Sequence, residues 1–132
     1  MKGITSTADS RAIKEAGHRW EVAVEAYLNE QELRVTRRRQ RGRVDAGDLF
    51  GPDAWVMGCK NERILRLSYF MDQMDAQVEN DGGERFGVEF VKRRGYPTAK
   101  AYAIMTVETW TAVARRIEEL EKPGSLRTCY RK

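Results

Sequence analysis

Histidine occurs once in this chain, at His18, and cysteine twice, at Cys59 and Cys129. That scarcity leaves no Cys/His cluster with zinc spacing. It also argues against a Ser-His-Asp or Cys-His enzyme, because His18 would be the only imidazole base. No apolar run approaches the roughly 18 residues that a membrane span requires. The opening Met1 to Ser10 is polar and has no hydrophobic signal region, so nothing in it directs export. The expectation is a protein of the cytoplasm with no membrane partner. At 132 residues the chain suits one domain covering 1–132, with flexible ends at about 1–10 and 123–132.

Charge is what the chain has in abundance, and it is uneven. The formal sum is +4, yet Arg34, Arg37, Arg38, Arg39, Arg41 and Arg43 crowd one stretch without an acid, and Lys92-Arg93-Arg94 forms a second cluster. Clusters of this kind attract a polyanion, and nucleic acid is the expected partner. Such contacts read phosphate and shape more than bases.

Apolar residues Ile13, Ala16, Trp20, Ala23, Val24, Tyr27 and Leu28 recur at three- and four-residue steps, predicting an amphipathic helix over Arg11 to Glu32, capped by Asp9 or Ser10. Strands are expected at Leu33 to Arg38, Val44 to Phe50, Ala54 to Lys60, Phe86 to Lys92 and Ala101 to Val107. The third has apolar residues on both faces, as a central strand does. Leu67, Phe70, Met71, Met74 and Val78 give a second helix, stopped by Asn80-Asp81-Gly82-Gly83. Thr106 caps a last helix, in which Trp110, Val113, Ala114, Ile117 and Leu120 are the expected buried stripe. The order is αβββαββα, an α/β fold with a central mixed sheet flanked by helices.

Within this frame, Asp48 lies in a Gly-bounded turn and Lys60 ends an apolar strand. Phosphodiester hydrolysis at neutral pH needs an activated water, a cation on the phosphate and charge compensation. Carboxylates hold a hard cation such as magnesium, and a lysine offsets phosphate charge. Asp48, Lys60 and the main-chain carbonyl of Cys59 suit these tasks. Glu21, on the border of the first helix's apolar stripe, adds a second carboxylate, and Gly17 one turn earlier permits close approach. Each residue alone reads more blandly: Glu21 as a surface acid, Asp48 as a turn residue, Lys60 as a snorkelling strand end. Their joint occurrence in this order points to metal-dependent nuclease chemistry.

Gly17-His18-Arg19-Trp20-Glu21, Arg43-Val44-Asp45-Ala46-Gly47-Asp48, Val56-Met57-Gly58-Cys59-Lys60-Asn61, Leu67 to Asp72, and Phe86-Gly87-Val88 through Lys92-Arg93-Arg94-Gly95 together resemble the Holliday junction resolvase branch of the PD-(D/E)XK nuclease superfamily. The resemblance is strongest to small resolvase-like endonucleases carried by actinobacterial phages, and it covers nearly the whole chain. It implies the restriction-endonuclease-like fold and a homodimeric, Mg2+-dependent endonuclease, with Mn2+ as a substitute, that makes paired cuts in four-way DNA junctions. In a phage-encoded protein the location would be the host cytoplasm. Glu21, Asp48 and Lys60 would be catalytic, with Asp48, Glu21 and the Cys59 carbonyl on the metal. Arg37, Arg38, Arg39, Arg41, Arg43, Lys92, Arg93 and Arg94 would touch DNA.

The chain departs from that pattern at Gly58, where a second strand acid is expected. Glu62 is a poor substitute, roughly 13 Å from Gly58 at about 3.3 Å per residue. Three accounts stay open: an engineered inactivating change, a natural loss leaving a DNA-binding relic, or an acid recruited from elsewhere, with Asp45, Glu25 and Gln73 as candidates. The expectation is impaired cleavage, improved by Gly58→Glu. The alternatives are a non-catalytic DNA-binding module and a general structure-specific or restriction-like DNA endonuclease.

Overall fold

The computed structural model of the protein describes residues 7–38 and 45–123. Three α-helices and five short strands follow in the order α1 (Thr7–Glu30), β1 (Thr36–Arg37), β2 (Leu49–Phe50), β3 (Trp55–Lys60), α2 (Leu67–Asn80), β4 (Phe86–Val91), β5 (Tyr102–Ile104) and α3 (Val107–Glu121), with one 3-10 turn at Thr98–Lys100 before β5. The strands form one sheet in the order β1-β2-β3-β4-β5. Among the described strands only β3 and β4 pair in parallel, and α2 is the crossover between them. The class expected from sequence, α/β with a mixed sheet, is what the chain adopts.

Each sheet face is covered differently. Residues alternate along a strand, so Trp55, Met57 and Cys59 of β3 share a face with Phe86, Val88 and Phe90 of β4. Trp20 and Val24 of α1 close over this face with Val35, Leu49, Met57 and Val88 as the buried core, and Trp20 Nε1 donates to the Phe90 carbonyl at 3.0 Å. The opposite face carries Val56, Gly58 and Lys60 beside Gly87, Glu89 and Val91. Phe70 and Met74 of α2 are buried, and Met74 packs against both Gly58 and Gly87. A Cβ at Gly87 would stand 2.6 Å from Met74 Cγ and 2.8 Å from Val78 Cγ2, so glycine there lets α2 settle on the sheet.

Three expectations change. The first two strands are shorter than the alternation suggests: Glu32 and Arg34 adopt positive φ, which breaks the chain before β1, and Gly47 at φ 110° does so before β2. Asp9 and Ser10 lie inside α1, which starts at Thr7, so neither caps it. The α3 stripe is not buried. Trp110 is 60% exposed, Ile117 53% and Leu120 54%, and α3 contributes no buried residue. The Thr106 cap is present, its Oγ1 accepting from the Thr109 amide at 3.1 Å. Among the described residues no helix is long and apolar enough to cross a membrane.

Candidate metal centre and nucleic-acid interface

The candidate residues gather where β3 and β4 end, the edge at which open α/β sheets bind ligands. Asp48 precedes β2, which runs antiparallel to β3 with Leu49 opposite Met57. The Asp48 amide donates to the Met57 carbonyl at 2.8 Å, and Asp48 Oδ2 accepts from the Cys59 amide at 2.8 Å. Amide and carbonyl of one strand residue point the same way, so the Cys59 carbonyl faces the Asp48 edge. Burial raises the Asp48 pKa against the Cys59 hydrogen bond, with Asp45 raising it and Lys60 lowering it. Burial likewise raises Glu21 on α1, helped by Asp48 and opposed by Arg37. Asp48 and Glu21 therefore feel each other. The Cys59 thiol is pushed up by burial and then by the charges of Asp48, Glu21 and Glu89.

Lys60 points to the α2 face. Its Nζ donates to Gln73 Oε1, while Gln73 Nε2 donates to Tyr69 Oη at 3.0 Å. The ammonium also lies 5.6 Å from the Phe70 ring centroid. An α2 that follows the lysine strand thus holds the ammonium in place.

The residue that sequence reasoning missed is Glu89. It sits on β4 directly across from Gly58 and is fully buried. Neither carboxylate oxygen has a hydrogen-bond partner; among the described residues the other buried side-chain oxygen in that condition is Gln77 Oε1. Burial drives the Glu89 pKa up to about 7, Lys60 pulls it down, and Asp48, Asp45 and Glu62 push it up. An unpaired buried carboxylate is costly, and its presence calls for a partner.

Gly58 and Glu89 are complementary in shape. A Cβ at Gly58 would overlap Glu89 Oε1 and stand 3.0 Å from its Cδ and 3.1 Å from Met74 Cε. The Glu89 carboxylate occupies the volume into which a side chain at 58 would project. A side chain at 58 would therefore have to displace the end of the Glu89 side chain before Gly58→Glu could place its own carboxylate there.

The recruited-acid candidates are engaged elsewhere. Asp45 accepts from the Gly47 amide at 3.0 Å and from Gln77 Nε2 at 2.8 Å, which ties the turn before Asp48 to α2. Glu25 pairs with Arg37 Nε at 3.1 Å, Gln73 holds Lys60, and Glu62 pairs with Arg66 at 2.7 Å. A lone acid in an apolar strand, facing the same way as Gly87, was the available signal for Glu89; its register against Gly58 was not.

Among the described residues no three His, Cys, Asp or Glu side chains are already drawn together tightly enough to enclose an ion. Glu21 lies on the α1 side and Glu89 on the α2 side, with Asp48 coupled to each. The donor set is all oxygen, which fits a hard cation, and the orphaned Glu89 oxygens are the observation that favours one.

Basic residues surround this edge. The Lys92 amide donates to the Lys60 carbonyl, bringing Lys92-Arg93-Arg94 to the end of β3. Arg94 Nη2 donates to Asn61 Oδ1 at 2.9 Å, Arg93 stacks 3.6 Å from the Tyr96 ring centroid, and Lys92 lies 5.1 Å from that of Trp20. An open groove lined by Ile13, Ala16, Asn61, Arg63 and Arg94 runs past the edge, and Arg63 joins the basic set from here. No side chain fills the space at Gly17, one turn before Glu21. On the other flank, Arg37 is tied to Glu25, and Arg38 Nη1 donates to the Ala46 carbonyl at 3.2 Å and lies 3.6 Å from Asp81 Oδ1. These two are partly neutralised, which leaves less charge for DNA than the sequence suggests. Arg39, Arg41 and Arg43 lie outside the described residues.

Comparison with protein-family models, curated proteins and solved structures gives no match.

Proposed function

We propose that this protein is a metal-dependent endonuclease of the PD-(D/E)XK kind, acting as a Holliday junction resolvase with Mg2+ or Mn2+. The observation that carries this reading is Asp48 held on the Cys59 amide at one sheet edge, beside Lys60 of the same strand and within the electrostatic reach of Glu21, with a basic rim around it. Asp48, Glu21 and the Cys59 carbonyl would hold the cation. Such an ion supplies Lewis acidity that withdraws charge from a phosphodiester and acidifies water. Lys60, fixed by Gln73, places its ammonium where phosphate charge develops. Lys92, Arg93 and Arg94 bind backbone phosphates, with Arg37 and Arg38 joining where phosphate competes with Glu25 and Asp81, so affinity falls steeply with salt. The cytoplasm is the corresponding location.

Lys60→Ala is expected to lower junction cleavage by about 100-fold or more. Junction binding in Ca2+, read by gel shift, should change little. Equal cleavage by the variant would remove the lysine from the mechanism. A general structure-specific endonuclease would use the same residues, and equal cutting of linear duplex would favour it.

Paired cuts need two sites, so the reading includes a homodimer. The exposed α3 face suits a second copy of the chain. Trp110, Val113, Ile117 and Leu120 have heptad spacing, the pattern of a helix that pairs with another helix. Ile117→Glu is expected to yield a monomer by light scattering and to replace paired nicks with single ones. A variant that stays dimeric would place the interface elsewhere.

A further inference from the structure

We propose that Glu89 of β4 is the second strand carboxylate of the cation site, supplied across the sheet into the space left by Gly58. This rests on the nuclease reading and deepens it by assigning a ligand.

Position 58 and Lys60 share the α2 face of β3, so an acid at 58 would project beside the lysine. Gly58 has no side chain there. The Glu89 carboxylate fills that place from the neighbouring strand, in register opposite Gly58, with Met74 packed behind. Both Glu89 oxygens are buried and unpartnered, whereas Asp45, Glu25 and Glu62 are each engaged by another group. A fold does not keep an acid fully buried on a central strand for packing, where an aliphatic residue of similar volume serves better. The Asp48 charge reaches Glu89, and Asp48 is held at the Cys59 amide, one residue from Gly58. The reciprocal constraint follows: glycine at 58 and glutamate at 89 depend on each other. Glu89 thus supplies from β4 the carboxylate that Gly58 of β3 does not.

Calorimetric titration of the protein with MnCl2 tests this, with thermal melts confirming that each variant folds. Glu89→Gln keeps the shape and removes the charge. It is expected to weaken Mn2+ binding at least about tenfold while the melt stays cooperative. The double change Gly58→Glu with Glu89→Ala returns the carboxylate to the adjacent strand and should recover most of that loss, whereas Glu89→Ala alone should not. If wild type binds Mn2+ and Glu89→Gln binds it equally, Glu89 is no ligand, while the nuclease reading survives on Asp48 and Glu21. If wild type binds no Mn2+ and cuts no junction, the nuclease reading fails and the assignment with it.

Discussion

Gly58→Glu, made alone, is expected to destabilise the protein by about 3 kcal/mol or more and to abolish cation binding. The new Cβ overlaps the end of the fully buried Glu89 side chain and crowds Met74 Cε, so both must shift to admit it. The added carboxylate also places like charge against Glu89 in a buried pocket. Gly58→Ala isolates the steric part and should cost about 1–3 kcal/mol. Chemical denaturation reads both. A Gly58→Glu protein that is as stable as wild type and cuts junctions faster would mean that the pocket opens readily and that position 58 is the proper place for the acid.

The second large effect is a fall in the stability of the metal-free protein as pH rises from about 4.5 to 7. Glu89 titrates near 7 when folded, against an ordinary value of 4.5. Between those values the folded state holds a proton that the unfolded state has released, so unfolding releases protons and becomes easier as pH increases. The loss is complete above the folded value, and below 4.5 the stability is fully present. Its size for Glu89 is about 3 kcal/mol. Burial raises Asp48 and Glu21 as well, so they add to the same slope. Lys60 opposes the effect at Glu89, and Asp48, Asp45 and Glu62 reinforce it. Glu89→Gln should flatten the slope and stabilise the metal-free protein at pH 8. Saturating Mg2+ should offset the loss at high pH by binding the folded form. Denaturation midpoints that stay level between pH 5 and 8 would show that Glu89 carries no buried charge.

What the sequence made legible is local. Asp48 and Lys60 announced themselves through a Gly-bounded turn and an apolar strand, and the structure joins the two strands through Asp48 Oδ2 and the Cys59 amide. The helices α1 and α2 followed from apolar spacing, and Thr106 from its capping position. Glu89 was illegible because its meaning lies in the pairing of β3 with β4, and strand register between segments about 30 residues apart is not written in either segment. The exposure of α3 was hidden for a different reason. Amphipathic spacing says that a helix has an apolar face, but it does not say what covers that face. In place, Arg37 and Arg38 of the basic run are paired with Glu25 and Asp81, acids that lie far from the run in sequence.

Cleavage of an end-labelled four-way DNA junction by the wild-type protein, beside matched linear duplex and with Mg2+ or a chelator, tests the central claim most directly. The account predicts paired, metal-dependent nicks in the junction by a chain that carries glycine at 58, with far less cutting of duplex. Tight junction binding with no cleavage in either Mg2+ or Mn2+ would contradict it and leave a DNA-binding module built on a nuclease-like site.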